Sequence, residues 1–223
     1  MVPDLSPIFA QYEMLRGFVD RAAAQVAQNF PDCVTCHKGC SDCCHALFDL
    51  SLVEAMYLNR AFREKFDYGP ERSALVERAS RIDRQLTRMK RDFYREYKQD
   101  GDAGAILLEA AELRMPCPLL DENNACILYE ARPITCRAYG IPTSIGGRGH
   151  VCGLTGFARG GAYPTLKLDR VHQTLNELSL AIERAVSSRF DQLHEVFMPV
   201  SMALITSFDE NFLGIGPARR ERD

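Results

Sequence analysis

Nine cysteines occur in two groups along the 223-residue chain. The first group has the spacing Cys33-x2-Cys36-x3-Cys40-x2-Cys43-Cys44, so five thiols fall within twelve residues. Thiolates two or three residues apart can turn toward one ion, because zinc–sulfur bonds are only about 2.3 Å long. The spacing therefore predicts a metal site in the segment 33–45.

The second group lies in the segment 115–153 and contains Cys117, Cys126, Cys136 and Cys152. Each group alone could fill four coordination positions, and together they could form two sites or one shared site. Neighbouring side chains of an extended chain point in opposite directions. We therefore expect the adjacent Cys43 and Cys44 to serve two different sites or to leave one thiol spare.

The cysteine pattern leaves the identity of the metal open. Sulfur-rich tetrahedral sites suit either a zinc ion or an iron–sulfur cluster. The bacterial ferredoxin run of cysteines is absent, although Cys117-Pro118 supplies one Cys-Pro step of the kind that closes that run.

Histidines supply weaker candidates for the site. His37, His45 and His150 lie beside cysteines, where each could replace a thiolate or hydrogen-bond to a ligand. His172 and His194 lie on predicted helices.

Composition limits the class of protein. Hydrophobic residues make up 46% of the chain, charged residues 26%, and the formal net charge is -3. This balance predicts no nucleic-acid partner, although it leaves room for a local basic patch. No secretory signal opens the chain and no run of about 18 apolar residues occurs, so we expect no membrane partner. We therefore expect a cytoplasmic location. Thiols stay reduced in that compartment, so a dense and odd-numbered set of cysteines favours metal binding over disulfides.

Hydrophobic periodicity predicts a mainly helical protein. Residues 5–30 carry apolar side chains on one helical face, with Ser6 as the expected cap. Ser51 and Glu54 form a capping-box pattern that opens a second helix. A break at 67–70 precedes a long charged helix over 71–99 with a narrow apolar seam. Further helices are predicted over 103–114, 133–139 and 168–196.

The remaining segments are predicted to be loops or turns. A turn at 121–124 could join two short apolar pieces as a small hairpin, and the glycines and prolines of 140–164 predict an irregular stretch. The resulting fold class is mainly α: one domain over 1–223, with an irregular cysteine-rich metal-binding region and at most a small β-hairpin.

Basic residues on the long helix are interpreted as a solvent face, with an anion site as the alternative; they are Arg81, Arg84, Arg88, Lys90 and Arg91.

Two blocks of the sequence resemble a known family. The first is Gly39-Cys40-Ser41-Asp42-Cys43-Cys44 followed by Leu50-Ser51-Leu52-Val53-Glu54-Ala55. The second is Cys117-Pro118-Leu119-Leu120-Asp121, Cys126-Ile127-Leu128-Tyr129-Glu130-Ala131-Arg132-Pro133 and Cys136-Arg137. In order and joint spacing they resemble the YkgJ family of cysteine-cluster proteins of the CxxCxxCC type, which is described as a zinc- or iron-chelating domain.

The resemblance implies a set of metal ligands: Cys36, Cys40, Cys43, Cys44, Cys117, Cys126 and Cys136. Cys152 is added as a candidate from the second group, and the role of Cys33 is left open. Three residues separate Cys36 from Cys40, where the family pattern has two. Arg132 and Arg137 lie in the motif, where they could offset thiolate charge or hold a substrate carboxylate.

The expected function is metal binding through cysteine thiolates, with zinc or an iron–sulfur cluster as cofactor and no assigned reaction. The alternative is an iron–sulfur enzyme or electron-transfer protein. A related cysteine-rich segment occurs in the flagellin lysine methylase, which links the alternative to protein lysine methylation. No G-x-S-x-G or H-E-x-x-H signature occurs in the chain.

Overall fold

The fold was obtained as a computed structural model, which describes residues 2–37, 39–100, 113–158 and 160–216. Helices dominate this part of the chain, as the sequence predicts. They are α1 (Ser6–Asn29), α2 (Leu52–Lys65), α3 (Pro70–Asp100), α4 (Ile134–Ala138), α5 (Leu168–Ala185) and α6 (Val200–Ile205). The short helix predicted for 103–114 lies outside the described residues except at 113 and 114, where Arg114 forms a β-bridge with Ala46.

Two small sheets complete the fold, so the mainly α fold class is confirmed. Strand β1 (Asp49–Ser51) pairs antiparallel with β5 (Phe197–Pro199), with Leu50 opposite Met198. Strands β2 (Thr143–Ile145) and β3 (Arg148–His150) form a hairpin, and β4 (Leu166–Lys167) pairs parallel with β2. The prediction that 140–164 is irregular throughout is wrong at this hairpin. Gly146 and Gly147 have φ values of 56° and 75°, which suit a two-residue hairpin turn.

Helix starts follow their local signals in two of three cases. The Ser51–Glu54 capping box is formed, and α3 begins at Pro70, where a missing backbone N–H costs little. The predicted cap at Ser6 is wrong. Ser6 is already helical, and its backbone N–H donates to Asp4 Oδ1 at 2.9 Å, so the aspartate supplies the oxygen expected from the serine.

Helix α5 ends at Ala185, about ten residues before the predicted end. Ser187 adopts a left-handed φ of 49°. Its N–H donates to the Arg184 carbonyl, and the Ser188 N–H donates to the Glu183 carbonyl. These two bonds form a Schellman-type end built on a serine rather than on the usual glycine. The sequence therefore lacked the residue that normally announces such an end.

The core is built on both sides of α2. One cluster packs α1, α2 and α5 together through Tyr12, Val19, Leu52, Leu175 and Ile182. The second packs the other side of α2 against α3, α6 and β5; its members include Leu58, Phe62, Ala79, Met198 and Leu204. On α3 the predicted apolar seam is confirmed, since Ala79, Ile82 and Leu86 are buried. That the whole chain forms a single domain stays a prediction.

No helix in the described ranges is both long enough and apolar enough to span a membrane.

A buried carboxylate connects three of the helices. Glu54 accepts hydrogen bonds from the Ser51 N–H at 3.2 Å, the Ser51 hydroxyl at 2.9 Å and the Ile134 N–H at 3.1 Å. The Tyr12 hydroxyl on α1 also donates to it. Burial raises the pKa of the Glu54 carboxyl, while these donors act in the opposite direction. One side chain thus fixes the start of α2, the start of α4 and the N-terminal third of α1 relative to each other.

We expect Glu54→Ala to destabilise the fold by roughly 2–4 kcal/mol, because it removes a helix cap and leaves buried donors without an acceptor. Urea denaturation followed by circular dichroism measures the change. Glu77→Ala is the control, since Glu77 is an exposed glutamate on α3, and its effect should stay within about 0.5 kcal/mol. Equal stability of the two variants would contradict the role given to Glu54.

Candidate metal centre

The first cysteine group is shaped by a tight turn. Asp42–Cys44 forms one turn of 3-10 helix, in which the Cys44 N–H donates to the Ser41 carbonyl at 2.9 Å. The Cys43 and Cys44 side chains both line the same cavity. The premise of an extended chain is therefore wrong, while the assignment of the two thiols to two different sites, or of one of them as a spare thiol, stays a prediction.

Backbone pairing joins the second cysteine group to the first. The Cys117 N–H donates to the Cys44 carbonyl at 2.7 Å, and the Met115 N–H donates to the His45 carbonyl at 3.0 Å. The bridge between Ala46 and Arg114 continues this pairing. Cys117 is thereby fixed next to Cys44, although 72 residues separate the two in sequence.

A tight turn returns the chain from Cys117 to Cys126. Asp121 Oδ1 accepts from the backbone N–H groups of Asn123 at 2.9 Å and Ala125 at 2.8 Å. Asn124 takes a left-handed φ of 58°, which asparagine tolerates well. The predicted small hairpin is confirmed as one β-bridge between Leu120 and Cys126, and it folds Cys126 back beside Cys117.

Helix α4 delivers Cys136 to the same place. Pro133 precedes the first helical residue, and the N–H of that residue, Ile134, is held by Glu54. Cys136 follows two residues later, and its side chain lines the same cavity as Cys43. The position of the Cys136 thiol therefore depends on the Glu54 carboxylate, which also caps the start of α2.

Five thiols from three chain segments meet as one cluster, which we term the inner thiol cluster. Its members are Cys43, Cys44, Cys117, Cys126 and Cys136. All five line one cavity, and Cys43 influences the pKa of each of the other four.

The surroundings shift the pKa values of the five inner thiols in different directions. Hydrogen bonds from Cys136 and Cys44 lower the pKa of Cys43. The hydrogen bond to Cys43, together with burial, raises the pKa of Cys44 and of Cys136. Burial raises the pKa of Cys117 to about 12 and also raises that of Cys126. Without a cation, the remaining protons stay on the sulfurs, because several thiolates in one buried place repel each other.

Arg132 supplies positive charge next to these sulfurs. Burial raises the pKa of Cys126 and of Cys36, and the charge of Arg132 opposes this rise; the same charge helps to lower the pKa of Cys43. The guanidinium lies 3.6 Å from the centroid of the Tyr129 ring, and its Nε donates to the Tyr129 carbonyl at 3.1 Å. Of the two roles considered for Arg132, this position supports the offset of thiolate charge.

Arg137 has a different role, since it ties the motif to α1. Its Nε donates to the Arg132 carbonyl at 2.8 Å, and its Nη1 contacts Asp20 Oδ2 at 2.5 Å. Its Nη2 also donates to the Glu130 carbonyl, which accepts a further bond from Arg16. With its side chain only 6% exposed, Arg137 is occupied by structural contacts and is not placed to hold a substrate carboxylate.

Two further cysteines lie at the outer edge of the cluster. Cys36 is exposed and interacts electrostatically with Cys40 and Cys43. It packs so closely against the Gly140 backbone that a Cβ at that position would collide with its Sγ. Cys36 and Cys40 line a cavity of about 800 Å³, which Arg132 and all the inner thiols except Cys117 also border.

Cys152 and Cys33 have separate surroundings. The Cys152 thiol donates to Asp42 Oδ2 at 3.2 Å, and the same carboxylate binds Arg114. Burial, assisted by the Asp42 hydrogen bond, raises the pKa of Cys152 to about 11. It borders the large cavity but is held as a neutral donor. Cys33 packs against the apolar cluster of Val26, Ile141 and Phe157.

The histidines do not join the inner thiol cluster. His45 Nδ1 lies 3.0 Å from the Ser41 carbonyl, and His194 Nδ1 lies 2.7 Å from Glu183 Oε2. His194 falls in a 3-10 turn after α5 rather than on the predicted helix, whereas His172 lies on α5 as predicted. His150 lies in β3, and His37 borders the large cavity beside the outer cysteines.

The thiols suit a metal in chemistry and in proximity, because sulfur-rich sites take zinc or iron–sulfur clusters. Within the described ranges, no three Cys, His, Asp or Glu side chains are arranged to hold one metal ion as they stand. The thiols therefore match a metal site in their chemistry and number, whereas their arrangement is not yet a coordination geometry.

Comparison with protein-family models matches residues 35–153 to a family named CxxCxxCC and described as a "Putative zinc- or iron-chelating domain". The match spans more than half of the chain. The chain belongs to the CxxCxxCC family. Its family supports metal binding, with zinc or iron as the metal, and the YkgJ name is compatible with this result. No curated protein and no solved structure matches the chain.

The bounds of the CxxCxxCC match separate Cys33 from Cys152. Cys33 lies outside the matched residues and in an apolar cluster, whereas Cys152 lies inside them. Sequence reasoning missed three residues that organise the site: Asp42, Glu54 as the anchor of α4, and Gly140. Asp42 lies within the cysteine motif, which is a usable signal. Nothing in the sequence marks the long-range contacts of Glu54 and Gly140.

Gly140→Ala tests whether Cys36 is a ligand of the CxxCxxCC centre. The added methyl group must displace the Cys36 thiol, so a chelator should remove metal faster, by roughly tenfold or more if Cys36 binds it. Gly149→Ala is the control, since nothing lies within 4 Å of a Cβ at Gly149. Metal release to a chromophoric chelator gives the rates. An unchanged rate in a folded Gly140→Ala protein would remove Cys36 from the ligand set.

Proposed function

We propose that this protein binds a zinc ion or an iron–sulfur cluster through cysteine thiolates, with ligands drawn from the inner thiol cluster. The observation that carries the proposal is the meeting of five thiols from three chain segments around Cys43. A cluster of buried thiols without a cation is electrostatically unfavourable once the sulfurs ionise, and a bound cation removes that repulsion.

The surrounding residues have distinct tasks in this proposal. Metal binding requires thiolates, so Cys44, Cys117 and Cys136 release protons when the metal enters. Arg132 offsets part of the charge of a centre with four thiolates. When bound, zinc supplies structural cross-linking, whereas an iron–sulfur cluster also supplies one-electron chemistry. Cys36, Cys40 and Cys152 are further ligand candidates at the edge.

A second candidate function is an iron–sulfur enzyme or an electron-transfer protein. The cavity of about 800 Å³ favours it, because this space reaches four of the five inner thiols and is bordered by the exposed Cys36 and by Arg132. A structural zinc site is usually closed, whereas a reactive centre keeps an open side. Protein lysine methylation is one reaction class for this candidate. A cytoplasmic location belongs to the same proposal, since all nine cysteines are free thiols and a reducing compartment keeps them so.

Anaerobic purification followed by metal analysis and visible absorption tests the proposal. We expect at least one metal ion or cluster per chain. A brown protein with iron and acid-labile sulfide would identify a cluster, and a colourless protein with stoichiometric zinc would identify a zinc site. A folded protein without stoichiometric metal, both as isolated and after reconstitution with either metal, would refute metal binding.

Serine substitutions test which thiols hold the metal. We expect Cys126→Ser and Cys40→Ser to lower metal affinity by more than about tenfold and to lower the melting temperature, because the metal stabilises the folded chain. The control is Cys33→Ser, which alters a thiol in the separate apolar cluster and should leave metal content unchanged. Full occupancy in both test variants would contradict their assignment.

A further inference from the structure

The outward face of α3 carries a continuous row of cations. Their sequence positions differ alternately by three and four residues, which is the repeat of one helical face. The row consists of Arg81, Arg84, Arg88, Arg91, Arg95 and Lys98, all of them exposed. We call this set the basic stripe. From its first to its last residue it runs about 25 Å along the helix axis.

The basic stripe lies opposite the apolar seam of the same helix. Ala79, Ile82 and Leu86 face the core, and helical geometry places the cations about 180° around the axis from them. The seam therefore fixes the helix to the body of the protein and turns the stripe to solvent. The acidic residue Asp83 is drawn inward, where it accepts from the Ser201 hydroxyl at 3.1 Å.

Few of these cations have partners in the described part of the chain. Arg95 pairs with Asp92 at 3.2 Å, and Lys98 lies over the Tyr94 ring at 5.4 Å. Arg81, Arg84, Arg88 and Arg91 form no ion pair or hydrogen bond with any other described residue. Like charges three and four residues apart destabilise a helix. The tertiary packing of the seam must therefore overcome this repulsion.

The positive charge is local, since the chain as a whole has a formal net charge of -3. The remainder of the molecule is consequently more acidic than the net charge suggests. A polyanion would therefore be attracted most strongly to the basic stripe, where six exposed cations lie in one row.

We propose that the basic stripe binds the sugar-phosphate backbone of a nucleic acid without reading its sequence. Five of its six cations are arginines, whose guanidinium groups hold phosphate oxygens in pairs. The cations recur about every 5 Å along the axis, and phosphates along one strand of a duplex recur about every 3.4 Å. One extended polyanion can therefore contact several cations at once. The exposed Tyr94 beside the row offers a ring for base stacking.

Other polyanions fit the same surface less well. An anionic membrane would gain only charge contacts, because the apolar side of α3 is buried in the core and cannot insert. A protein would need a row of carboxylates about as long as the stripe, whereas every nucleic acid has such a row of phosphates. The low net charge of the chain predicts no nucleic-acid partner, but that expectation concerns the average charge and not its distribution.

Fluorescence anisotropy with a labelled uridine oligonucleotide tests the proposal on the full chain. The test variant is Arg84→Glu/Arg88→Glu/Arg91→Glu. The control variant, Arg21→Glu/Arg148→Glu/Arg170→Glu, changes three exposed arginines outside the stripe and has the same formal net charge. Circular dichroism establishes that both variants remain folded, and both are compared with the native chain at equal metal content, whatever that content is, so the result does not depend on the metal proposal. Phosphatidylcholine vesicles with phosphatidylserine, and polyglutamate, are tested in parallel.

We expect the native chain to bind the oligonucleotide and to lose affinity as salt rises from about 50 to about 200 mM. The stripe variant should bind about tenfold more weakly or worse, and its salt slope should be smaller by about 0.7 for each cation removed. The control variant should stay within about twofold of the native chain, because phosphate contacts require nearby cations. Absence of oligonucleotide binding at low salt, equal losses in both variants, or stronger binding to vesicles or polyglutamate would each overturn the proposal.

Discussion

The carboxylate of Glu54 is the contact on which the arrangement of this protein most depends. A buried carboxylate is costly unless donors surround it. Here the donors come from α1, α2 and α4, through Tyr12, Ser51 and Ile134. The packing of the three helices is thus coupled to the hydrogen bonds that the Glu54 carboxylate accepts. The short α4 has few residues to hold it by packing alone, and this bond sets the position of the cysteine that it carries.

The remaining thiols reach the same place through the backbone. The pairing of Cys117 with Cys44 brings together segments that are distant in sequence, and the turn at Asp121 returns Cys126. Backbone hydrogen bonds can hold this arrangement before any metal binds, although they do not place the sulfurs in a coordination geometry. The metal and the fold can therefore support each other, since thiolates gathered at one point are stable only when a cation neutralises them.

Helix α3 relates the centre to the opposite side of the molecule. Its apolar seam packs against α2 and α6, and residues farther along the seam, including Leu86 and Met89, border an apolar cavity of about 420 Å³ that the inner thiols also line. Its outward face carries the basic stripe. Helix α3 thus lies between the thiol centre, where negative charge is concentrated on sulfur, and a surface where positive charge is concentrated on guanidinium groups. A chain of low net charge can contain both regions, because solvent and salt screen the interactions between exposed charges that lie far apart.

The sequence by itself determined the helical elements and the donor chemistry. Apolar spacing placed the long helices, the Ser51–Glu54 pair marked the start of α2, and cysteine spacing identified the two segments that meet. These signals act within a few residues of each other and can be read locally. The predicted helix ends were wrong where a residue other than the usual one forms the cap. Asp4 accepts the Ser6 N–H at the start of α1, and Ser187 takes the left-handed position after the end of α5.

Only the tertiary structure decided how the cysteines are ranked. It placed Cys43 and Cys44 in the lining of one cavity, Cys33 in an apolar cluster and the Cys152 thiol next to the Asp42 carboxylate. It also showed that six cations of α3 share one exposed face. These results depend on contacts between residues far apart in the chain, and the free energies of burial and charge that select such contacts exist only once the helices have packed.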